Sequence, residues 1–247
     1  MKLNALVAGV VVLAGGCSHR PAATDASEAE LLGPAVTVVS FRTPDGWTIR
    51  GDFQSPPGAK RAVVLLHQRD GRARDWAPLT ARLAKAGIAT LALDARGVGR
   101  SQREGSSEDA PWDTTGDIAG AVSWLQTRGF APEKVGLAGA SYGANNVLLY
   151  AARTPKTPAI ALLSPGANYH GLDIRQAAFA FKGPLLLVYA REDPITNGGP
   201  ELIVKARNGA IDSAAYAGSN HGTDIFGGEP GSLNVLTAFF DKRLPAN

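Results

Sequence analysis

The chain has 247 residues, 45% of them hydrophobic and 19% charged, which is ordinary for a globular protein and enough for one large α/β domain or two small ones. The net charge of +3 is spread along the sequence without a basic stripe, which argues against a nucleic-acid partner. A single cysteine excludes an intramolecular disulfide and any site built from several cysteines.

The N-terminus has the pattern of an export signal. A lysine precedes an apolar run, Ala5 to Gly16, that is too short to cross a bilayer but suits the core of a signal peptide. The small residues before Cys17 resemble the processing site of bacterial lipoproteins, which implies lipidation of Cys17 and attachment to a membrane of the cell envelope. A conventional signal peptide with an incidental cysteine is the alternative. We therefore expect an exported protein with a signal peptide over 1–16, a flexible tether over 17–34 and one domain over 35–247.

The domain is predicted to begin with an antiparallel hairpin. Val36 to Phe41 alternates like a strand, Pro44-Asp45-Gly46 signals a turn, and Trp47 to Phe53 is the expected partner strand. The later strands are instead continuous apolar runs, a pattern typical of strands that are covered on both faces of a parallel sheet. These runs are 62–66, 88–93, 135–138, 159–163 and 185–190, and a last edge strand is predicted around 214–217.

Helical patterns lie between these runs. We expect Asp75 to cap one helix, Thr114 or Thr115 to cap another, and Ser232 to cap the last. Strands that alternate with helices after an antiparallel start predict a three-layer α/β/α sandwich. Its sheet should be eight-stranded and mostly parallel.

The segment Gly139-Ala140-Ser141-Tyr142-Gly143 has the pattern Gly-x-Ser-x-Gly between an apolar strand and a helical stretch. This order of strand, tight turn and helix is the context of a nucleophile elbow. The serine would occupy a strained turn, and side chains at the two glycines would collide with the neighbouring strand or helix. The following helix would direct free N–H groups towards the serine, where an oxyanion would form. A glycine-rich turn whose serine only caps the helix is the alternative.

A serine nucleophile needs a base and an acid. Serine is weakly nucleophilic at its own pKa, so Ser141 requires a histidine that accepts its proton. His221 lies in a loop of small residues before the last helix, where an imidazole can lean over the rim of the sheet. The acid is expected between them in the chain, and Asp193 follows a strong buried strand. Its neighbour Glu192 should point the opposite way. His67 also ends a strand, and we expect it to bond to backbone and shape the next loop.

Four segments in this order resemble the α/β-hydrolase superfamily, and the likeness runs from about Val36 to the C-terminus. The segments are the elbow at 139–143, Ala190 to Pro194, Ser219 to Gly222, and Leu93 to Ser101, which is similar to the superfamily's Asp-x-Arg-Gly-x-Gly-x-Ser loop. Within it, the small dienelactone-hydrolase-like and peptidase-like esterases are the most similar. The dienelactone hydrolases proper carry cysteine in place of Ser141, and many relatives have His-Gly where this chain has His67-Gln68.

The resemblance implies a serine hydrolase that cleaves carboxylic esters through an acyl-enzyme. Ser141 would be the nucleophile, His221 the base and Asp193 the acid that orients the base. No metal or organic cofactor is expected, because the chain lacks a His-Glu-x-x-His pair, a Walker loop and the glycine pattern of dinucleotide-binding proteins.

The resemblance also implies two oxyanion donors. The first is the backbone N–H of Tyr142, and the second is that of Gln68, with the N–H of Arg69 as the alternative.

A shallow, open pocket for a small-molecule ester is expected, since only about twenty residues separate Leu163 from Leu185, too few for a large helical cap. The residues expected around this pocket are His67, Gln68, Arg69, Tyr142 and Tyr169. Peptidase, thioesterase and acyltransferase chemistry on the same triad are alternatives, because leaving-group preference depends on pocket shape. A further alternative is a surface-anchored binding protein that does not turn over a substrate. The oligomeric state is left open.

Overall fold

The structure is a computed structural model that describes residues 34–101, 111–209 and 211–246. The predicted signal peptide, Cys17 and all but the last residue of the predicted tether lie outside the described residues. In the described part of the chain, no helix has the length and apolar character needed to cross a bilayer.

One eight-stranded sheet forms the centre of the domain, in the order β1-β2-β4-β3-β5-β6-β9-β10. The pairs β1–β2 and β2–β4 are antiparallel and the remaining pairs are parallel, which confirms the predicted hairpin and mostly parallel sheet. The strands are β1 (Thr37–Arg42), β2 (Thr48–Gln54), β3 (Arg61–Leu66), β4 (Ile88–Asp94), β5 (Val135–Ala140), β6 (Ile160–Leu163), β9 (Leu185–Ala190) and β10 (Asp212–Tyr216). A separate antiparallel pair consists of β7 (Asn168–Tyr169) and β8 (Leu172–Asp173).

Helices cover both faces of the sheet. They are α1 (Ala77–Lys85), α2 (Thr115–Gln126), α3 (Tyr142–Arg153), α4 (Arg175–Ala180), α5 (Gly199–Ala206), α6 (Ile225–Gly228) and α7 (Gly231–Arg243). Successive residues of β3 face opposite sides, so Val64 joins a core with α2 to α5, while Val63 and Leu65 join a core with α1, α6 and α7. The sheet therefore separates two hydrophobic cores, as a three-layer sandwich requires.

The helix starts differ from the expected caps. Asp75 lies in a 3-10 turn before α1, where it accepts the backbone N–H of Arg72 at 2.8 Å. At α2 the carboxylate of Asp113, and not the hydroxyl of Thr114, accepts the first N–H of the helix at 2.9 Å. Ser232 lies inside the first turn of α7, and its hydroxyl has no partner among the described residues. A carboxylate within the first turn or just ahead of it can accept a free N–H group there, as a hydroxyl does.

The segment between β6 and β9 is short, and all of it is described. It contains the β7–β8 pair and the six-residue helix α4, so a large helical cap is absent from this position, as predicted. The carboxyl ends of the parallel strands are thus left accessible at one edge, where α/β sheets bind ligands.

Candidate active site

Ser141 lies on the sharp turn between β5 and α3. Its backbone φ of 55° is in the region that residues with side chains rarely adopt. A Cβ atom at position 139 would lie 2.3 Å from the carbonyl oxygen of Gly143, and one at position 143 would lie 2.5 Å from the carbonyl oxygen of His67. The two glycines are therefore required by close backbone contacts, and the predicted order of strand, turn and helix is present.

His221 and Asp193 meet although 28 residues separate them in the chain. Nδ1 of His221 lies 2.6 Å from Oδ2 of Asp193, and the other carboxylate oxygen accepts the backbone N–H of Ile195 at 3.0 Å. The carboxylate is fully buried, whereas 13% of the imidazole is exposed. Because an ionised carboxylate only accepts hydrogen bonds, Nδ1 of His221 carries the proton and Nε2 is left to accept one.

Ser141 and His221 open onto the same cavity, which has a volume of about 280 Å³. The remaining lining residues are Gln68, Arg69, Asp70, Tyr142, Tyr169, His170 and Ile195. Gln68, Arg69, Tyr142 and Tyr169, which the sequence predicts around the pocket, are in this lining, whereas Asp70, His170 and Ile195 were not predicted there. A larger groove of about 660 Å³ between α3 and α4 contains none of the candidate residues.

Tyr169 packs beside the imidazole. Its ring meets the ring of His221 edge to face, with centroids 6.4 Å apart, and its hydroxyl donates to the carbonyl oxygen of Ile195 at 3.0 Å. Burial raises the pKa of Tyr169, so the phenol stays protonated and remains a donor. Tyr169 therefore forms one wall of the cavity and contacts the loop that follows Asp193.

Two backbone N–H groups beside Ser141 are unpaired. Neither the amide of Tyr142 nor that of Gln68 donates to another group within the described residues. The Tyr142 amide is the first of α3, where helix geometry leaves N–H groups without an acceptor. Both amides can therefore donate to an oxyanion, and the amide of Arg69 is equally unpaired in the described part of the chain.

His67 was expected beside the pocket, and the structure corrects this: it is buried and is absent from the cavity lining. Nδ1 donates to the carbonyl oxygen of Gln68 at 2.6 Å, and Nε2 accepts the backbone N–H of Ala95 at 3.0 Å. Burial lowers the pKa of His67, because desolvation disfavours the imidazolium. A neutral His67 bonded to backbone on both sides therefore shapes the loop that carries Gln68.

Low pH is expected to destabilise the fold through His67. The pKa is 6.5 in the unfolded chain and lower in the fold, so the unfolded state binds the proton first. The contribution of His67 to stability is thus complete above pH 6.5 and is lost as the pH falls through the folded-state pKa. Urea unfolding between pH 8 and pH 5 should show a pH slope that is shallower in His67→Gln by up to about 1.4 kcal/mol per pH unit. Equal slopes in both proteins would contradict this assignment.

The loop that resembles the superfamily's Asp-x-Arg-Gly-x-Gly-x-Ser pattern has a structural role. Asp94 accepts Nε of Arg100 at 2.7 Å and the backbone N–H of Ala73 at 2.9 Å. Arg96 binds Asp117 at the start of α2. These contacts join β4 to its neighbours, and none of the five residues lines the cavity of Ser141.

Two buried asparagines on α3 were missed by sequence reasoning. Asn145 donates to the carbonyl oxygens of Gly166 and Leu172 at 2.9 and 2.8 Å, which ties the β7–β8 pair to the helix that begins at Ser141. Asn146 accepts the backbone N–H of Thr114 at 2.8 Å. Consecutive asparagines on the apolar side of a helix were the available signal, because buried amides require partners.

A cluster of side chains lies next to Tyr142. The ring of Trp112 stacks on His170, with centroids 3.8 Å apart and planes 5° apart, and the guanidinium carbon of Arg69 lies 5.6 Å from the same ring. His170 has a φ of 48° at the tip of the β7–β8 pair. These residues are distant in the chain and share no local pattern, so only the structure reveals the contact.

Known proteins provide independent comparisons. A family model described as serine aminopeptidase, S33, matches residues 57–178, which include Ser141 but end before Asp193 and His221. No curated protein sequence matches the chain.

Several solved structures are similar in fold. The Pyrococcus furiosus esterase Pf2001 has a TM-score of 0.72 and 18% identity, over 86% of this chain and 92% of that one. The α/β hydrolase GrgF from a Penicillium species has a TM-score of 0.72 and 16% identity, over 85% and 99%. The esterase domain of a Rhodothermus marinus protein has a TM-score of 0.68 and 16% identity, over 85% and 100%. With the sheet topology, these likenesses show that the chain has the α/β-hydrolase fold.

Proposed function

We propose that the protein is a serine hydrolase that cleaves carboxylic esters through an acyl-enzyme. The observation that carries this proposal is the shared cavity: Ser141 on its strained turn opens onto the same space as His221, whose other ring nitrogen is bound to Asp193. Nucleophile, base and orienting acid in this arrangement define the serine hydrolase triad.

The acylation step follows from these positions. The Oγ atom of Ser141 attacks the ester carbon while Nε2 of His221 takes its proton, and the charge that develops on the carbonyl oxygen is stabilised by backbone N–H groups. Asp193 stabilises the imidazolium. The protonated imidazole then donates to the leaving alkoxide, so that an alcohol departs and Ser141 keeps the acyl group.

Deacylation repeats the same steps with water. His221 accepts a proton from water, the hydroxide oxygen attacks the acyl carbon, and the proton returns to Oγ of Ser141 as the carboxylic acid leaves. The unpaired amides of Tyr142 and Gln68 are the donors that we assign to both oxyanions.

Aminopeptidase activity is the second candidate, because the matching family model carries that description. An aminopeptidase must neutralise the free ammonium group of its substrate, which requires carboxylates at the cavity. Apart from the triad, Asp70 is the carboxylate among the described lining residues, and its side chain is 90% exposed and lies 3.7 Å from Arg69. This environment favours an uncharged ester over a peptide with a free N-terminus.

The proposal is tested by labelling and turnover with the purified protein. A fluorophosphonate probe should modify Ser141, as mapped by mass spectrometry, and labelling should stop turnover of p-nitrophenyl acetate and butyrate. Leucine p-nitroanilide should be hydrolysed far more slowly than these esters. Modification of Ser141 with faster turnover of the anilide would instead identify an aminopeptidase, and failure to label Ser141 would refute the triad.

A further inference from the structure

The side chain of Gln68 is bound to the loop that carries His221. Its Oε1 atom accepts the backbone N–H of Thr223 at 2.7 Å and the Thr223 hydroxyl at 3.0 Å. A backbone N–H only donates, so the atom facing it is the carboxamide oxygen. Thr223 is buried and follows His221 by two residues.

The side chain and the backbone of Gln68 are both held by close contacts. Gly222 has a φ of 56°, and a Cβ atom there would lie 2.1 Å from Oε1 of Gln68, so the side chain rests directly on the backbone of the His221 loop. The carbonyl oxygen of Gln68 in turn accepts from Nδ1 of His67 and from the backbone N–H of Gly71 at 3.0 Å. The loop after β3 and the loop after β10 are therefore joined by one fixed side chain.

The sheet itself does not set the distance between these two loops. Three strands, β5, β6 and β9, separate β3 from β10, so no ladder of backbone hydrogen bonds joins the strands that the two loops follow. Proton transfer and oxyanion stabilisation nevertheless require the base and the N–H donors to keep one geometry around Ser141, and a displacement of about 1 Å can cost on the order of a hundredfold in rate.

We propose that Gln68 is a positioning residue, whose carboxamide oxygen holds the His221 loop at a fixed distance from the loop that supplies the second oxyanion donor. This inference rests on the proposed serine hydrolase function. The role belongs to the side chain, because a glycine at position 68 would have no atoms with which to reach Thr223.

The test compares Gln68→Met, which keeps the length of the side chain without its acceptor, with Gln126→Met at an exposed position on α2. We expect kcat to fall about tenfold in Gln68→Met, with KM within twofold of wild type. The melting temperature should fall by only about 2–4 °C, because the buried donors of Thr223 lose their acceptor. Labelling of Ser141 by the fluorophosphonate probe should slow by the same factor.

Hydrogen exchange provides a readout that does not depend on turnover. The Thr223 amide should exchange faster in Gln68→Met than in wild type, while the amides of β5 keep their protection. Unchanged exchange at Thr223, or an unchanged kcat, would overturn the inference and leave the proposed function intact. Wild-type protein without ester turnover or labelling would refute the proposed function, and the exchange rates would still decide whether Gln68 holds the loop.

Discussion

A Ser141→Ala variant is expected to hydrolyse p-nitrophenyl esters with a kcat about 10⁶-fold below that of the wild-type protein. The reason is that the remaining groups can still bind the ester and polarise its carbonyl but cannot form the acyl-enzyme. His221→Ala should lose about as much, because an unactivated serine is nearly as ineffective as none. The double variant should be no slower than either single variant, since residues that act as a unit have effects that do not add.

Replacing Asp193 should lower kcat less than replacing His221. Asp193→Asn keeps the shape of the side chain but can bond to His221 in the wrong tautomer, so a loss of about 10⁴-fold in kcat is expected. Steady-state kinetics with the acetyl ester measure all four variants, and Ser123→Ala at an exposed position of α2 is the matched control. Turnover by Ser141→Ala at one-tenth of the wild-type rate would show that hydrolysis proceeds without this serine.

Replacing Arg96 with methionine is expected to lower the free energy of unfolding by about 3–5 kcal/mol. Arg96 is 4% exposed and donates from Nε and its backbone N–H to Asp117 at 2.8 Å each, and from Nη1 to Asp45 at 2.6 Å. The side chain of Asp117 is completely buried. Methionine approximates the volume of the arginine stem but leaves the Asp117 carboxylate in the core with no cation beside it, which is the costly outcome for a buried pair.

Urea unfolding of a second variant separates lost charge from lost packing. In Arg96→Met combined with Asp117→Asn, the buried group is neutral and its oxygen still accepts the backbone N–H of residue 96, so most of the lost stability should return. Arg175→Met, which breaks an exposed pair with Asp173, should leave unfolding unchanged. If the double variant were as unstable as Arg96→Met, the role assigned to the ion pair would be wrong.

The sheet was predictable from the sequence because its strands are covered on both faces. The run Leu185–Ala190 matches β9 at both ends, and the other central runs differ from β3, β4, β5 and β6 by one or two residues. The helices α4 and α5 were missed, since segments of six and eight residues are too short to show a helical period clearly. Their formation depends on packing against α3 and on each other, which no local pattern records.

The sequence selects the candidate triad for a different reason. The order of serine, acid and histidine along the chain, each placed after a strand, restricted the choice to Ser141, Asp193 and His221. By contrast, the bond between Gln68 and Thr223 spans 155 residues and uses types of residue that are common in loops. The backbone bonds of His67 were predicted and are present, but its absence from the cavity lining was not predicted, because a histidine at a strand end can face the ligand or the backbone with the same sequence around it.

The distribution of the candidate residues over the sheet also determines when activity can appear during synthesis and folding. Gln68 follows β3, Ser141 follows β5, Asp193 follows β9 and His221 follows β10, which is the last strand and lies at the edge of the sheet. A ribosome must therefore synthesise nearly the whole domain before a base exists to activate the serine. Likewise, a refolding chain can hydrolyse esters only after its last strand has paired with the sheet. Contacts between such distant segments form late in folding, so the onset of hydrolysis would mark the completion of the domain. Chains that are incomplete or only partly folded would have no hydrolytic activity.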